Sequence, residues 1–342
     1  MTKDWTERDW LIPVAVLAGV EWLAAELLAL AIHYPARPDF VAQFLFATGI
    51  GVVMLGCFYA WQFAKLMRRM EAGPTRRLVE ITKQRKDRIV AVTGGLFCIS
   101  LHWIAFNWMK SMLPAVVPFW ADPALANFDE ALFGQAAWEW ALRIVWPAAA
   151  ASKFAYSLWL PLHFIVLAAV LCMQPSARKT RLLVSYVLMW MTGTVVSYAV
   201  SSGGPIFYEA LGFGSRFHNL LDQPHIGGIP KTAAYLWSNY QDHAARPGAG
   251  ISAFPSMHVA LAVWIALAAR HWSGWIFSAL VFYGSFLLGW HYFLDAPAGV
   301  LVTLFAYFTA GKLLSSMPTM RGTHPFVEPS VEKSLADGPP VS

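Results

Sequence analysis

Charge is scarce in this chain. Only 13% of its 342 residues are Asp, Glu, Lys or Arg, about half the roughly 25% of an ordinary soluble domain. That scarcity argues against a water-soluble globule. The net charge is only +5, and no basic module interleaved with aromatics is present, so nucleic acid is not an expected partner. Cysteine is equally sparse. Cys57, Cys98 and Cys172 each lie inside an apolar run without metal-ligand spacing. No disulfide is expected, and each reads as a small buried hydrophobe. A small-residue cleavage site is also lacking, so the first apolar stretch reads as a retained span rather than a signal peptide. There is no internal repeat and no low-complexity domain.

Apolar residues are abundant instead. They make up 57% of the chain, with 17 Trp and 23 Phe, against about 45–50% in a soluble domain. A bilayer core of about 30 Å takes roughly 20 mainly apolar residues per helix, and only helices and closed barrels satisfy their backbone there. Runs of that kind lie at 11–33, 40–64, 89–109, 154–173, 182–200, 256–270, 274–291 and 295–313. The expected fold is all-α, a polytopic membrane bundle of about eight helices, with the sixth span short.

Lys and Arg orient the bundle. The segment 65–88 holds nine of them, and "SARKTR" at 176–181 adds more. Both are expected to face the cytoplasm as solvated loops in contact with lipid headgroups. Both termini then lie inside, and 110–153 and 201–255 lie outside. In a bacterium the membrane would be the inner one. Segment 119–146 has amphipathic, Trp-rich spacing that suits a helix in the interface. Segment 201–255 is dense in glycine, which permits unusual backbone and close approach to a ligand. The tail from 317 to 342 is Pro- and charge-rich and reads as disordered.

This topology gathers three ionisable residues at one face. In "ISAFPSMH" (251–258) Ser256 is a good N-cap and His258 falls in the first turn of a helix whose free N–H groups favour an anion. In "GWHYFLDAPAG" (289–299) His291 and Asp295 are four apart, so the carboxylate can hold one ring nitrogen and present the other as nucleophile or base. Taken singly, each has a plain structural reading as a cap or an interfacial anchor. Together, beside a glycine-rich loop, they read as a site. A zinc site of two His and one Asp is the less favoured alternative, without a third strong ligand in spacing. His33, His102, His163 and His271 read as structural.

"PSMH" and "HYFLD" resemble the second and third signatures of the type 2 phosphatidic acid phosphatase superfamily, Pro-Ser-Gly-His and Ser-Arg-x5-His-x3-Asp. "FPSMHVALAV", "FDEALFG" (128–134) and "SSGGPIFYE" (201–209) resemble most the branch containing fungal inositol phosphorylceramide synthase. The resemblance covers roughly 120–313. It implies a six-helix catalytic core at 89–316, preceded by two further spans and a basic loop at 1–88. It departs in two places. The first signature, Lys-x6-Arg-Pro, is not found, and Gly284-Ser285 stands where the third signature has Ser-Arg.

By position, the resemblance implies that His291 attacks phosphorus, Asp295 orients it, and His258 protonates the leaving oxygen and then activates the acceptor. No metal or other cofactor is implied. Arg216, Lys231 and Arg246 are candidates to hold phosphate in place of the missing Arg, with Gly203 and Gly204 as backbone donors and Ser256 at the helix start. The expected partners are the bilayer and membrane lipids, as phosphate donor and hydroxyl acceptor. The readings are a lipid phosphotransferase, a lipid phosphate phosphatase, or a non-catalytic binding protein or transporter on the same scaffold. No feature of the sequence specifies an oligomeric state.

Overall fold

The computed structural model describes residues 4–70, 73–144, 146–223 and 227–316. The expected disordered tail at 317–342 lies outside the described residues. Every expected span coincides with a helix: α1 (Arg8–Ala31), α2 (Phe40–Arg68), then a short α3 (Pro74–Gln84), and α4 (Lys86–Val116). Next come α5 (Asp122–Phe133), α6 (Ala137–Ile144), α7 (Trp146–Leu171), α8 (Ala177–Ala199) and α9 (Ile229–Gln241). The bundle closes with α10 (Met257–Ala269), α11 (Trp272–Leu287) and α12 (Asp295–Ser316). Among the described residues there is no strand. Helices α1, α4, α7, α8 and α12 are long and apolar enough to cross a membrane. Helices α10 and α11 have 13 and 16 residues, about 20 and 24 Å at 1.5 Å per residue.

The boundaries follow from capping chemistry. Asp39 accepts the amide of Ala42 at 2.9 Å and starts α2. Ser176 accepts that of Lys179 at 3.2 Å and starts α8. The expected interfacial helix at 119–146 is two helices, because Gly134 adopts φ +69° and ends α5. The expected outer loop at 201–255 contains α9, and the basic loop contains α3. Helix α4 runs seven residues past the expected limit of 109, so Lys110 is part of it. Cys57 and Cys172 are exposed rather than buried, because they fall on outward-facing positions, and all three cysteines are free.

The core joins the N-terminal helix to the rest. Trp10 of α1 is fully buried, and its ring occupies the space where a side chain at Gly95 of α4 would stand. Trp264 of α10 is equally buried and donates to the Leu182 carbonyl of α8 at 3.1 Å. Val16, Leu23, Leu27 and Leu30 of α1 point outward instead, as a lipid-facing surface requires. At the α4 end that carries Lys86, Lys179 pairs with Glu7 at 2.6 Å and lies over the Trp10 ring, while Arg88 stands 3.8 Å from the same carboxylate.

Candidate active site

At the other end of α4 the starts of α10 and α12 are joined by backbone. The amide of Ser256 donates to the carbonyl of Asp295 at 2.8 Å. Gly299 lies so close to the Ser256 carbonyl that a Cβ there would collide with it. The Ser256 hydroxyl caps α10, facing the Val259 amide at 3.4 Å. His258 follows as the second residue of α10.

His291 lies in the loop between α11 and α12, not at the end of a span as expected. Leu288 ends α11, and Gly289 at φ +72° turns the chain away from it. The His291 amide donates to the Ser285 carbonyl at 3.2 Å. Its Nδ1 faces the Ala253 carbonyl at 2.9 Å and Asp295 Oδ2 at 3.2 Å. Both partners only accept, so Nδ1 carries the proton and Nε2 presents its lone pair. That Nε2 stands 3.3 Å from His258 Nδ1. Tyr156 and Trp159 of α7 pack against the His258 ring at centroid distances of 4.9 and 4.7 Å. The three residues singled out by spacing therefore form one chain of contacts, Asp295–His291–His258.

Two carboxylates of α5 brace this chain. Asp122, fully buried, accepts the amides of Gly203 and Gly204 and the hydroxyl of Tyr292, the last at 3.0 Å. Asp129, of "FDEALFG", accepts the amide of Phe293 at 3.2 Å. Burial raises both, against the amide bonds that favour the charged forms. Asp129, with Asp295 nearby, is pushed up to about 7. The donors of Gly203 and Gly204, expected to face phosphate, are thus directed at Asp122.

The histidines open on a cavity of about 630 Å³ between α4, α7, α9 and the 248–252 segment. Two cationic side chains line it, Lys110 and Lys153. Lys110 also lines, with both histidines, a small recess beside Thr194, Ser197 and Ser252. The expected phosphate ligands are elsewhere. Arg216 bonds Asn127 at 2.9 Å and pairs with Glu130. Lys231 and Arg246 are exposed, and none of the three lines a cavity with the histidines. Among the described residues no group of three or more His, Cys, Asp or Glu could hold a metal ion.

Residues 123–309, more than half of the chain, match the family model of the PAP2 superfamily. The chain belongs to the PAP2 superfamily. No curated protein and no solved structure gives a match. As a PAP2 protein with membrane-spanning helices it is an integral membrane enzyme, of the phosphatase and phosphotransferase kind that acts on membrane lipids. Just before the matched segment, the PAP2 first signature is present in part. Lys110 is followed after six residues by Val117 and Pro118, so that only the Arg of Lys-x6-Arg-Pro is replaced. A search tolerant of that one change would have found Lys110.

Proposed function

We propose that the protein is a lipid phosphotransferase, moving a phosphoryl or phospho-headgroup between lipids through a phosphohistidine. The observation that supports this most is the Asp295–His291–His258 chain of contacts opening on a large, mostly apolar cavity beside Lys110. In the first step His291 Nε2 attacks phosphorus. The bond from phosphorus to the donor oxygen breaks, and its electron pair leaves on that oxygen. His258 supplies the proton. In the second step the acceptor hydroxyl gives its proton to His258 and attacks phosphorus, and the N–P bond breaks. Asp295 stabilises the imidazolium character that develops on His291. Lys110, a cation without an ion-pair partner among the described residues, neutralises the phosphoryl oxygens where the Arg of the first signature is absent. Such chemistry depends on positioning and charge.

The likeness of "FPSMHVALAV" and "HYFLDAPAG" to the inositol phosphorylceramide synthase branch favours a lipid hydroxyl as acceptor. Two helices and a basic loop at 1–88 precede a catalytic core at 89–316 in this reading. Nine Lys and Arg in 65–88 support a cytoplasmic position for that end and an exoplasmic one for the histidines.

The test is a paired incubation of wild type and His291→Ala with a total lipid extract, followed by mass spectrometry of free phosphate and all phospholipids. A new phospholipid with a dephosphorylated partner, formed by wild type and reduced by more than about 10³-fold in the variant, is the expected result. Phosphate release without a new phospholipid assigns a phosphatase. Equal products from both proteins overturn the mechanism.

A further inference from the structure

The first two helices lie outside the matched PAP2 segment, and the catalytic chain does not use them. Their connection nevertheless reaches the end of the bundle that holds the histidines. The Tyr34 hydroxyl lies 3.0 Å from the carbonyl of Ser111, the neighbour of Lys110, and 3.2 Å from that of His243. Gln43, at the start of α2, donates to the Ala245 carbonyl at 3.1 Å. Trp108 of α4 returns a bond to the Ala36 carbonyl at 3.0 Å. The hairpin α1–α2 therefore straps down the segment that leads into Pro247 and Gly248.

Those two residues, with Gln43, form one end of a second cavity, of about 300 Å³, between α4 and α7. It adjoins the catalytic cavity, with which it shares Trp103, Asn107, Trp159 and Gly248. Beyond that junction its walls are apolar, including Ile104, Phe164, Leu167 and Ala168. The polar side chains it does contain have their donors directed at backbone carbonyls: Gln43 to Ala245, Ser100 to Leu96 at 2.8 Å, and Asn107 to Trp103 at 2.8 Å. None of those donors is aimed into the cavity to recognise a headgroup. Along α4 it extends from Asn107 to Leu96, 11 residues, or about 17 Å. That is a little over half of a hydrocarbon core of about 30 Å.

We propose that this side chamber holds the apolar chain of the lipid substrate and that the N-terminal hairpin completes it. The proposal rests on the reading of the larger cavity as the phosphoryl-transfer site. It gives the substrate a shape: a phosphorylated head between Lys110 and the histidines, and a single long hydrocarbon chain running between α4 and α7 toward the opposite membrane face. The hairpin contributes the wall at Gln43 and keeps Pro247–Gly248 in place.

The probe is hexadecyl phosphonate carrying a diazirine at the chain end, photolysed with the full-length protein in nanodiscs and mapped by mass spectrometry. Its C–P bond does not take part in transfer, so the readout is independent of turnover. Cross-links on 96–104 and 160–171 are expected, reduced at least tenfold in Ala168→Phe, which fills the chamber. In turnover, the preference for hexadecyl over hexyl phosphate falls at least tenfold in Ala168→Phe and about threefold in Gln43→Ala, which keeps the proposal testable should the larger residue impair folding. Cross-links scattered over outward helix faces, or a chain-length preference identical in all three proteins, overturn the chamber. If His291→Ala keeps both the cross-links and full activity, the catalytic reading fails and the chamber stands.

Discussion

The two ends of α4 carry cations in opposite conditions. At the start of the helix Arg88, with Lys179 of α8, shares the carboxylate of Glu7. At the other end Lys110 faces two histidines and a cavity, with no carboxylate beside it among the described residues. A buried cation costs several kcal/mol unless something neutralises it. At the first end Glu7 offsets one of the two positive charges from within the chain, and the cluster is structural. On the proposed reading the second is left for the phosphate of the substrate to neutralise, which is how a phosphate site differs from a salt bridge.

Removing the cation at each end separates the two cases. Lys110→Met is expected to lower kcat/KM for transfer by about 10²–10³-fold, the usual loss when one preorganised electrostatic partner of a transition state is removed. The thermal midpoint should not fall and is expected to rise, since the substitution removes an unneutralised cation and breaks no bond within the protein. Steady-state kinetics with a lipid phosphate, beside a melting curve, checks both halves, and a variant with intact kcat/KM would make Lys110 a structural residue. At the other end Glu7→Gln strands Lys179, whose side chain is 0% exposed. A loss of about 3 kcal/mol in stability is expected, with turnover per folded molecule preserved, measured by denaturation in detergent together with activity. Were turnover to fall with unchanged stability, the contrast between the ends would fail.

The smallest effect concerns α5. Between about pH 4 and about pH 7 folded Asp129 keeps a proton that the unfolded chain has released. Stability therefore falls as pH rises through that window. Asp129→Asn removes this slope, so its melting temperature gains on wild type from pH 4 to pH 7 and the difference is constant above. Parallel curves across the range would show that the Asp129 pKa is not raised.

Much of the bundle could be read from the chain because hydrocarbon length is a crude, strong constraint. Eight apolar runs became eight helices, and only their ends moved. His258, His291 and Asp295 were legible as a set because PSMH and HYFLD keep fixed spacings. Lys110 was not, for two physical reasons. A cation at the end of an apolar run looks like an ordinary flank, and the valine at 117 breaks the signature that marks it. Asp122 and Asp129 were overlooked for the opposite reason. On an amphipathic interfacial segment a carboxylate reads as a solvated face, and nothing in the spacing shows that it binds amides of residues 203, 204 and 293. Arg216 was selected for its charge, but an arginine in a loop finds whichever carboxylate folding brings near, here Glu130.

The seam between Ser256 and Asp295 has a consequence for how such an enzyme can change. The helix starts beside the two imidazoles are held together by main-chain atoms, the amide–carbonyl bond between Ser256 and Asp295 and the bare Cα of Gly299, while Asp295, Tyr156 and Trp159 orient the rings. That seam is insulated from substitutions in walls that do not touch the rings. On the proposed reading, the residues of α2, α4 and α7 that line the side chamber away from Lys110, Tyr156 and Trp159 can drift in sequence, altering which hydrophobe is admitted, while the histidine pair keeps its alignment. If the chamber and the histidines act as proposed, substrate choice and bond-making are separately adjustable in this architecture.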